Sequence, residues 1–276
     1  VPGGTLYVVA TPLGHLGDLT ARVTEVLRSA PVVAAEDTRR TRGLLSHLDA
    51  HPRLMAYHAH ARNAVPRAIL GALEKGEDVA LVTDAGTPGV SDPGALLVEQ
   101  VRHAGYRVVP LPGPSAVATA LSAAGLPADH YVFLGFLPRK GKERTRLLER
   151  IGAEEWTMVL FESPERVGDL LADLVLVCGA DRRAVLAREM TKLHEEFRAG
   201  TLDQLATEVL PGTSLKGECT LVIEGREVQA PTDPKVMTRA ARRLLSAGLP
   251  RREVAALLVD LFGASRNEAY KTVNSD

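Results

Sequence analysis

Only two cysteines, Cys178 and Cys219, occur in the 276-residue chain. Two are too few for a disulfide framework, and neither sits at metal-ligand spacing. A reducing, cytoplasmic setting is the expectation. No apolar run reaches the roughly 20 residues that a membrane-spanning helix needs. Val1-Pro2-Gly3-Gly4 has no charged-then-apolar secretory pattern. Charge of one sign is also lacking, for the formal net charge is −1. Binders that work by neutralising phosphates are usually more basic. Any nucleic-acid partner must therefore meet charge that is concentrated locally.

Several familiar signatures are missing as well. Without G-x-G-x-x-G there is no ordinary dinucleotide fingerprint, and without G-x-x-x-x-G-K-[ST] there is no P-loop. There is no H-E-x-x-H and no cysteine pair at finger spacing, so no metal site is expected. Gly113-Pro114-Ser115 lacks the second glycine of a nucleophile elbow. The eight histidines are scattered, and His58 and His60 read as solvated. No internal repeat or low-complexity tract stands out.

What is present is a core-forming composition, 45% hydrophobic, at a length that suits two domains. The most informative junction is Val79-Ala80-Leu81-Val82-Thr83 running into Asp84-Ala85-Gly86-Thr87-Pro88-Gly89-Val90-Ser91-Asp92-Pro93-Gly94. The apolar run reads as a buried parallel strand. Gly86, Gly89 and Gly94 permit positive φ, while Pro88 and Pro93 stiffen the loop. Asp92 is expected to cap the helix that follows, with Pro93 at its first position. In open α/β sheets, ligands sit beyond the carboxyl ends of strands, where such loops gather.

Further strands are read at Thr5–Ala10, Val32–Ala35, Leu54–Tyr57 and Arg107–Leu111, with helices between them, one of them over Asn63–Leu73. That order predicts a parallel sheet with helices on both faces. Pro112–Ser115 resembles a hinge, and an Ala-rich helix follows it. A second α/β unit is read from strands at Tyr131–Phe136, Thr157–Phe161, Ala184–Ala187 and Cys219–Ile223, the last alternating as an antiparallel strand does. A Pro- and Asp-containing linker, Ala230–Pro234, precedes a helical tail. Pro250 starts one tail helix and Gly263 ends it. Ser265-Arg266-Asn267-Glu268 is a capping box for the next, so the tail resembles a helix-turn-helix.

Polar groups cluster at these strand ends: the Pro12–Asp18 loop, Glu36-Asp37, Asp84–Thr87 and Ser115-Ala116. In the second unit they are Glu162-Ser163, Arg188-Glu189, Thr191-Lys192 and Lys216-Gly217-Glu218. They predict one cleft that holds a mid-sized polar ligand. Basic residues form three groups. The first is Arg39, Arg40 and Arg42. The second is Arg139, Lys140, Lys142, Arg144, Arg146 and Arg150. The tail supplies Arg239, Arg242, Arg243, Arg251, Arg252, Arg266 and Lys271. Each alone reads as a solvated helix face; three together point to a large anionic partner.

Thr11-Pro12-Leu13-Gly14-His15-Leu16, Ala35-Glu36-Asp37-Thr38-Arg39, Asp84-Ala85-Gly86-Thr87-Pro88 and Pro112-Gly113-Pro114-Ser115-Ala116 occur in a familiar order. Gly135-Phe136-Leu137-Pro138, Phe161-Glu162-Ser163-Pro164-Glu165-Arg166, Ala187-Arg188-Glu189-Met190-Thr191-Lys192 and Lys216-Gly217-Glu218 continue it. The set resembles the tetrapyrrole-methylase-fold enzymes and, within them, the bacterial 16S rRNA cytidine 2′-O-ribose methyltransferases. The Glu36–Arg39 block and the tail separate that branch from its tetrapyrrole-making relatives. The resemblance implies two α/β domains, 1–113 and 114–228, around an interdomain cleft, with a small helical domain at 229–276. It also implies S-adenosylmethionine (SAM) as methyl donor and a homodimer. Cofactor contacts are implied for Leu13, Asp84, Ala85, Gly86, Thr87, Pro88, Ser115, Ala116, Phe136, Glu162 and Gly217. The family carries Asn where this chain has His15, and either can donate a hydrogen bond.

The implied acceptor is a ribose 2′-OH of a decoding-centre cytidine in small-subunit rRNA. A 2′-OH is a poor nucleophile until its proton leaves, so a positioned base helps. Glu36, Asp37, Glu189 and Lys192, at strand ends beside the expected cleft, are the candidate catalytic residues. Arg39, Arg40, Arg42, Arg139, Lys140, Lys142, Arg144, Arg266 and Lys271 are the candidate RNA contacts. Three other readings stay open. They are a precorrin-like macrocycle methylase, a Mg²⁺-assisted phosphohydrolase using Asp84, Asp92 and Glu36, and a non-catalytic RNA-binding scaffold.

Overall fold

A computed structural model describes residues 3–57, 64–212, 215–227 and 234–274. His58, His60, the first residue of the helix expected over Asn63–Leu73, and 230–233 of the expected linker lie outside the described residues. Residues Val1–Glu224 make one compact unit and Gly225–Asp276 a second.

The first unit opens with β1 (Thr5–Val9), α1 (Ala21–Ser29), β2 (Val32–Ala35), α2 (Thr38–His47) and β3 (Arg53–Ala56). Next come α3 (Ala64–Glu74), β4 (Val79–Val82), α4 (Ala95–His103) and β5 (Arg107–Leu111). The five strands form one sheet in the order β3-β2-β4-β1-β5, with every pairing parallel. Its strands are apolar on both faces because both are covered. Val9, Val33 and Val82 pack with Leu27 of α1 and Leu45 of α2. Leu6, Ala34 and Leu81 pack with Ile69 of α3 and Leu97 of α4.

The unit continues with α5 (Ala116–Ala124), β6 (Tyr131–Phe136), α6 (Lys142–Ala153), β7 (Thr157–Glu162) and α7 (Val167–Cys178). It ends with β8 (Arg183–Arg188), β9 (Glu196–Thr201), α8 (Leu202–Glu208) and β10 (Cys219–Ile223). These strands form a second, mixed sheet, β6-β7-β10-β8-β9. β10 runs antiparallel to both β7 and β8, as its alternation predicts. β9 has no counterpart in the strand reading: it is a polar edge strand with Gly200 inside, and pairing with β8 rather than apolar patterning makes it. α6, α7 and α8 cover one face of this sheet, with Ile151, Leu171 and Leu205 in the core. α5 lies on the other, where Ala120 and Ala124 meet Val185 and Val222.

Local signals account for several boundaries. The Thr20 hydroxyl caps α1 by accepting from Val23 N. The expected cap on α4 is corrected. Gly94, at φ 149°, holds the N-cap position, and no side chain caps the helix. Only glycine tolerates that backbone, and the turn it makes leaves the Asp92 carboxylate for another use.

The second unit contains α9 (Pro234–Ser246), α10 (Arg251–Phe262) and α11 (Arg266–Asn274). Met237, Ala241, Val254, Leu258, Ala269 and Val273 form its own core. Gly263 ends α10 in the left-handed conformation. Ser265 and Glu268 exchange the two hydrogen bonds of a capping box.

Candidate functional site

Because every strand of the first sheet is parallel, the loops after β1, β2, β4 and β5 leave from one edge. Backbone bonds fasten three of them together. Thr11 and Gly86 exchange N–H···O bonds of 2.9 Å each, and the Thr87 hydroxyl donates to Pro114 O at 3.1 Å. Gly86 has φ 77°, so its carbonyl and amide turn toward Thr11 without a side chain in the way. The loop after β2 joins through Asp84, which accepts from Asp37 N at 3.1 Å and pairs with Arg40 at 3.4 Å.

In the mixed sheet, register sets Arg188, Cys219 and Glu162 in one row across β8, β10 and β7. Their loops therefore also leave from a common edge. The two edges enclose a cavity of about 340 Å³, within the usual range for small-molecule sites. From the first sheet it is walled by Leu13, Asp84, Ala85, Gly86 and Thr87, with Ser115 and Ala116 at the start of α5. From the second it is walled by Phe136, Phe161, Glu162, Met190 and Glu218. The Phe136 and Phe161 rings meet edge-on at 5.6 Å between centroids and form an apolar slot. The start of α5 adds the positive end of a helix.

Nine of the eleven expected cofactor contacts thus line this one cavity. Pro88 and Gly217 do not line the cavity. Pro88 is buried behind the loop and acts as a stiffener. Gly217 has φ 90°, and a Cβ there would lie 2.2 Å from the Glu189 carboxyl, so its role is to let that side chain pass. Glu218, one residue on, lines the cavity instead.

The four candidate catalytic residues stand behind the wall rather than in it. Asp37 caps α2 and pairs with Arg39 at 3.1 Å, and hydrogen bonds from Arg39 hold its carboxyl below the usual range. Glu189 accepts from Lys192 Nζ at 2.7 Å and from Glu218 N at 3.0 Å, and the lysine lowers its pKa. Burial alone would pull Lys192 down, but hydrogen bonds to Glu189 and Glu218 raise it above its ordinary value. It is a fixed cation and no base. Glu36 is half-buried at the end of β2, and its charge is felt at Asp92.

Asp92 lines the cavity beside Val90 and Ser91. Burial pushes its carboxyl up to about 6, and the charges of Glu36, Asp84 and Glu218 add to this, against a hydrogen bond from Thr83 that lowers it. Sequence reading placed Asp92 at a helix cap, and the signal that corrects it is the glycine two residues on. Cys219 is in the wall too, its thiol pushed up to about 11, chiefly by burial, so it stays neutral. Glu162 is a structural acid: Arg166 grips it at 2.6 and 2.8 Å, and Ser163 N donates at 2.7 Å. His15 uses its ring Nδ1 to accept from Gly17 N at 3.1 Å, while its backbone amide donates to Thr191 Oγ1 at 3.2 Å. The ring thus accepts through Nδ1.

Of the candidate RNA contacts, Arg39, Arg40, Arg42, Arg139, Lys140 and Lys142 are exposed, as are Arg266 and Lys271 in the second unit. Arg144 departs from the expectation. Its guanidinium is bound to Asp173 at 2.5 Å and to Pro138 O at 3.0 Å, with 15% of the side chain exposed, so it braces α6 against α7. Among the described residues no group of three or more His, Cys, Asp or Glu side chains is arranged to hold a metal ion. Among them, too, no helix is long and apolar enough to cross a membrane.

A parallel sheet and a mixed sheet that share a cavity at their loop edges define a two-sheet α/β enzyme with its ligand site at the strand ends. Known proteins sharpen this. The profile of the Tetrapyrrole (Corrin/Porphyrin) Methylases matches residues 5–206. A "Ribosomal RNA small subunit methyltransferase I" of Escherichia coli O157:H7 is 45% identical over 97% of this chain and 94% of its own. The like-named protein of Xylella fastidiosa is 43% identical over 97% and 98%. The crystal structure of a uroporphyrin-III C-methyl transferase from Thermus thermophilus, complexed with S-adenyl homocysteine, superposes with a TM-score of 0.58 at 19% identity. That match covers 80% of this chain and 97% of the other, and it supports the fold. The chain belongs to the tetrapyrrole (corrin/porphyrin) methylase family, and within it to the group of the ribosomal RNA small subunit methyltransferases I.

Proposed function

We propose that this protein transfers the methyl group of SAM to RNA of the small ribosomal subunit, at the ribose 2′-OH of a decoding-centre cytidine. The observation that carries the reading is the cavity. It combines acids, an apolar aromatic slot and a helix start in one wall, in a chain similar over nearly its full length to proteins named for rRNA methylation. The S-adenyl homocysteine of the Thermus thermophilus relative speaks for the same ligand class.

The donor set suits the cofactor. Asp92, with Asp84 beside it, offers negative charge to a cationic sulfonium or ammonium group. Phe136 and Phe161 offer a slot for a flat base, and the Ala85–Thr87 backbone offers polar groups without bulk. SAM, when bound, supplies an electrophilic methyl on a good leaving group. The chain then has to align an acceptor with it and take up one proton. Of the four candidates, Asp37 and Glu189 are held below the ordinary carboxylate range and Lys192 is held as a cation, so none of these three suits the role of proton acceptor. Glu189 and Lys192 position Glu218. Arg39, Arg40, Arg42, Arg139, Lys140 and Lys142 hold rRNA phosphates, and the acting species is a homodimer.

The test offers labelled SAM with naked 16S rRNA, assembled small subunits or a tetrapyrrole, followed by nucleoside analysis. The expected product is 2′-O-methylcytidine. Label in a base, or only in the macrocycle, overturns the substrate; no SAM binding by calorimetry overturns the reaction.

A further inference from the structure

The most lopsided charge in the chain lies outside the cavity. Residues 234–274 carry eight Lys and Arg against three Asp and Glu, in a chain whose net charge is −1. α9 holds Lys235, Arg239, Arg242 and Arg243 and no acid. Their spacing puts them along one stripe of the helix. Together with Thr238 and Ser246 they line a groove of about 590 Å³. The opposite face of α9 is fixed, since Met237 and Ala241 are buried in the core of the second unit.

Like charges one turn apart destabilise a helix. A stripe of four is favourable when it meets a polyanion whose charges recur at similar spacing. Arginine forks match phosphate oxygens. A protein partner would want an aromatic or apolar anchor at the centre of the contact, and among the described residues no aromatic or aliphatic side chain lines this groove. We infer that the α9 groove is a binding site for RNA backbone phosphates, additional to the basic groups of the first unit. The inference rests on the reading that RNA is the substrate.

The test uses the full chain with the substitutions R239Q and R243Q together, and a second variant with R239K and R243K. Binding to naked 16S rRNA and to assembled small subunits is followed by fluorescence anisotropy across a salt series. The glutamine pair should weaken binding to naked rRNA about tenfold at low salt and reduce the slope of log K against log salt by about 1.5, as loss of two phosphate contacts requires. The lysine pair should keep the slope. SAM affinity should stay unchanged in both, which shows that the first unit folds, and an unchanged helical circular-dichroism signal shows that the second does. Equal affinity and slope for the unaltered chain and the glutamine pair overturn the inference, as does an unaltered chain that does not bind RNA. A loss confined to assembled subunits also overturns it, in favour of an acidic protein partner. Failure of the substrate reading looks different: RNA is bound through α9, yet no methyl group reaches it.

Discussion

The two walls of the cavity are held by different forces. On the parallel-sheet side, neutral hydrogen bonds fasten the loops: backbone Thr11 to Gly86, and the Thr87 hydroxyl to Pro114 O. On the mixed-sheet side, ion pairs do so: Glu162 with Arg166, and Lys192 with Glu189 and Glu218. A wall fastened mostly by neutral groups depends little on pH and leaves Asp92 directed at the cavity, while Asp84 ties in the loop after β2 through Asp37 N and Arg40. An ion-paired wall commits its carboxylates to neighbours, so its acids are structure first. Acids in one cavity are therefore not equivalent, and charge alone does not tell which of them serve a ligand.

Breaking the ion-paired wall should have the largest effect. Glu162→Ala leaves Arg166 half-buried without its carboxylate and should cost about 3 kcal/mol of stability in urea unfolding. Replacing both residues with apolar ones of similar size should recover much of that. The wall fastened by neutral groups should answer in the opposite sense. Asp92→Asn should raise stability at neutral pH, because it removes a buried charge that the fold disfavours, but weaken binding of a cationic cofactor about 10- to 100-fold by calorimetry, the range for a charge-assisted contact. A Tm loss without an affinity loss would reverse the assignment of the two walls.

A pH series sharpens the contrast. Asp92, raised to about 6 in the fold, binds its proton more tightly folded than unfolded. Between about pH 4 and 6 it therefore adds stability as pH falls. Cofactor binding runs the other way, since the carboxylate neutralises below about 6, and affinity should weaken by up to about tenfold per pH unit. Asp92→Asn should flatten that profile. Glu189, with its pKa lowered by Lys192, contributes stability that is lost as pH falls through its folded value. The smallest effect is expected away from the cavity. Arg144→Ala should cost about 1 kcal/mol through its pair with Asp173, and leave the salt dependence of RNA binding unchanged. Arg139→Ala, at an exposed site, should do the reverse.

Much of this was legible before the fold was known. The run into Asp84–Gly94 announced a buried strand and a stiff loop because β-branched residues, glycine and proline restrict the backbone locally. The capping box at Ser265–Glu268 and the stop at Gly263 were legible for the same reason. β9 was not, since an edge strand borrows its order from β8. Nor was the loss of Arg144 to Asp173, 29 residues away, nor the locking of Lys192 between Glu189 and Glu218. A side chain's partner depends on what the chain brings back to it.

The amino-acid order by itself determined the elements, the loops at their ends and the family, because each follows from neighbours within a few residues or from ordered motifs. Only the tertiary structure decided which carboxylates face the cavity and which are spent on cations. Burial and pairing set a carboxylate's charge and availability, and both depend on residues that are distant along the chain.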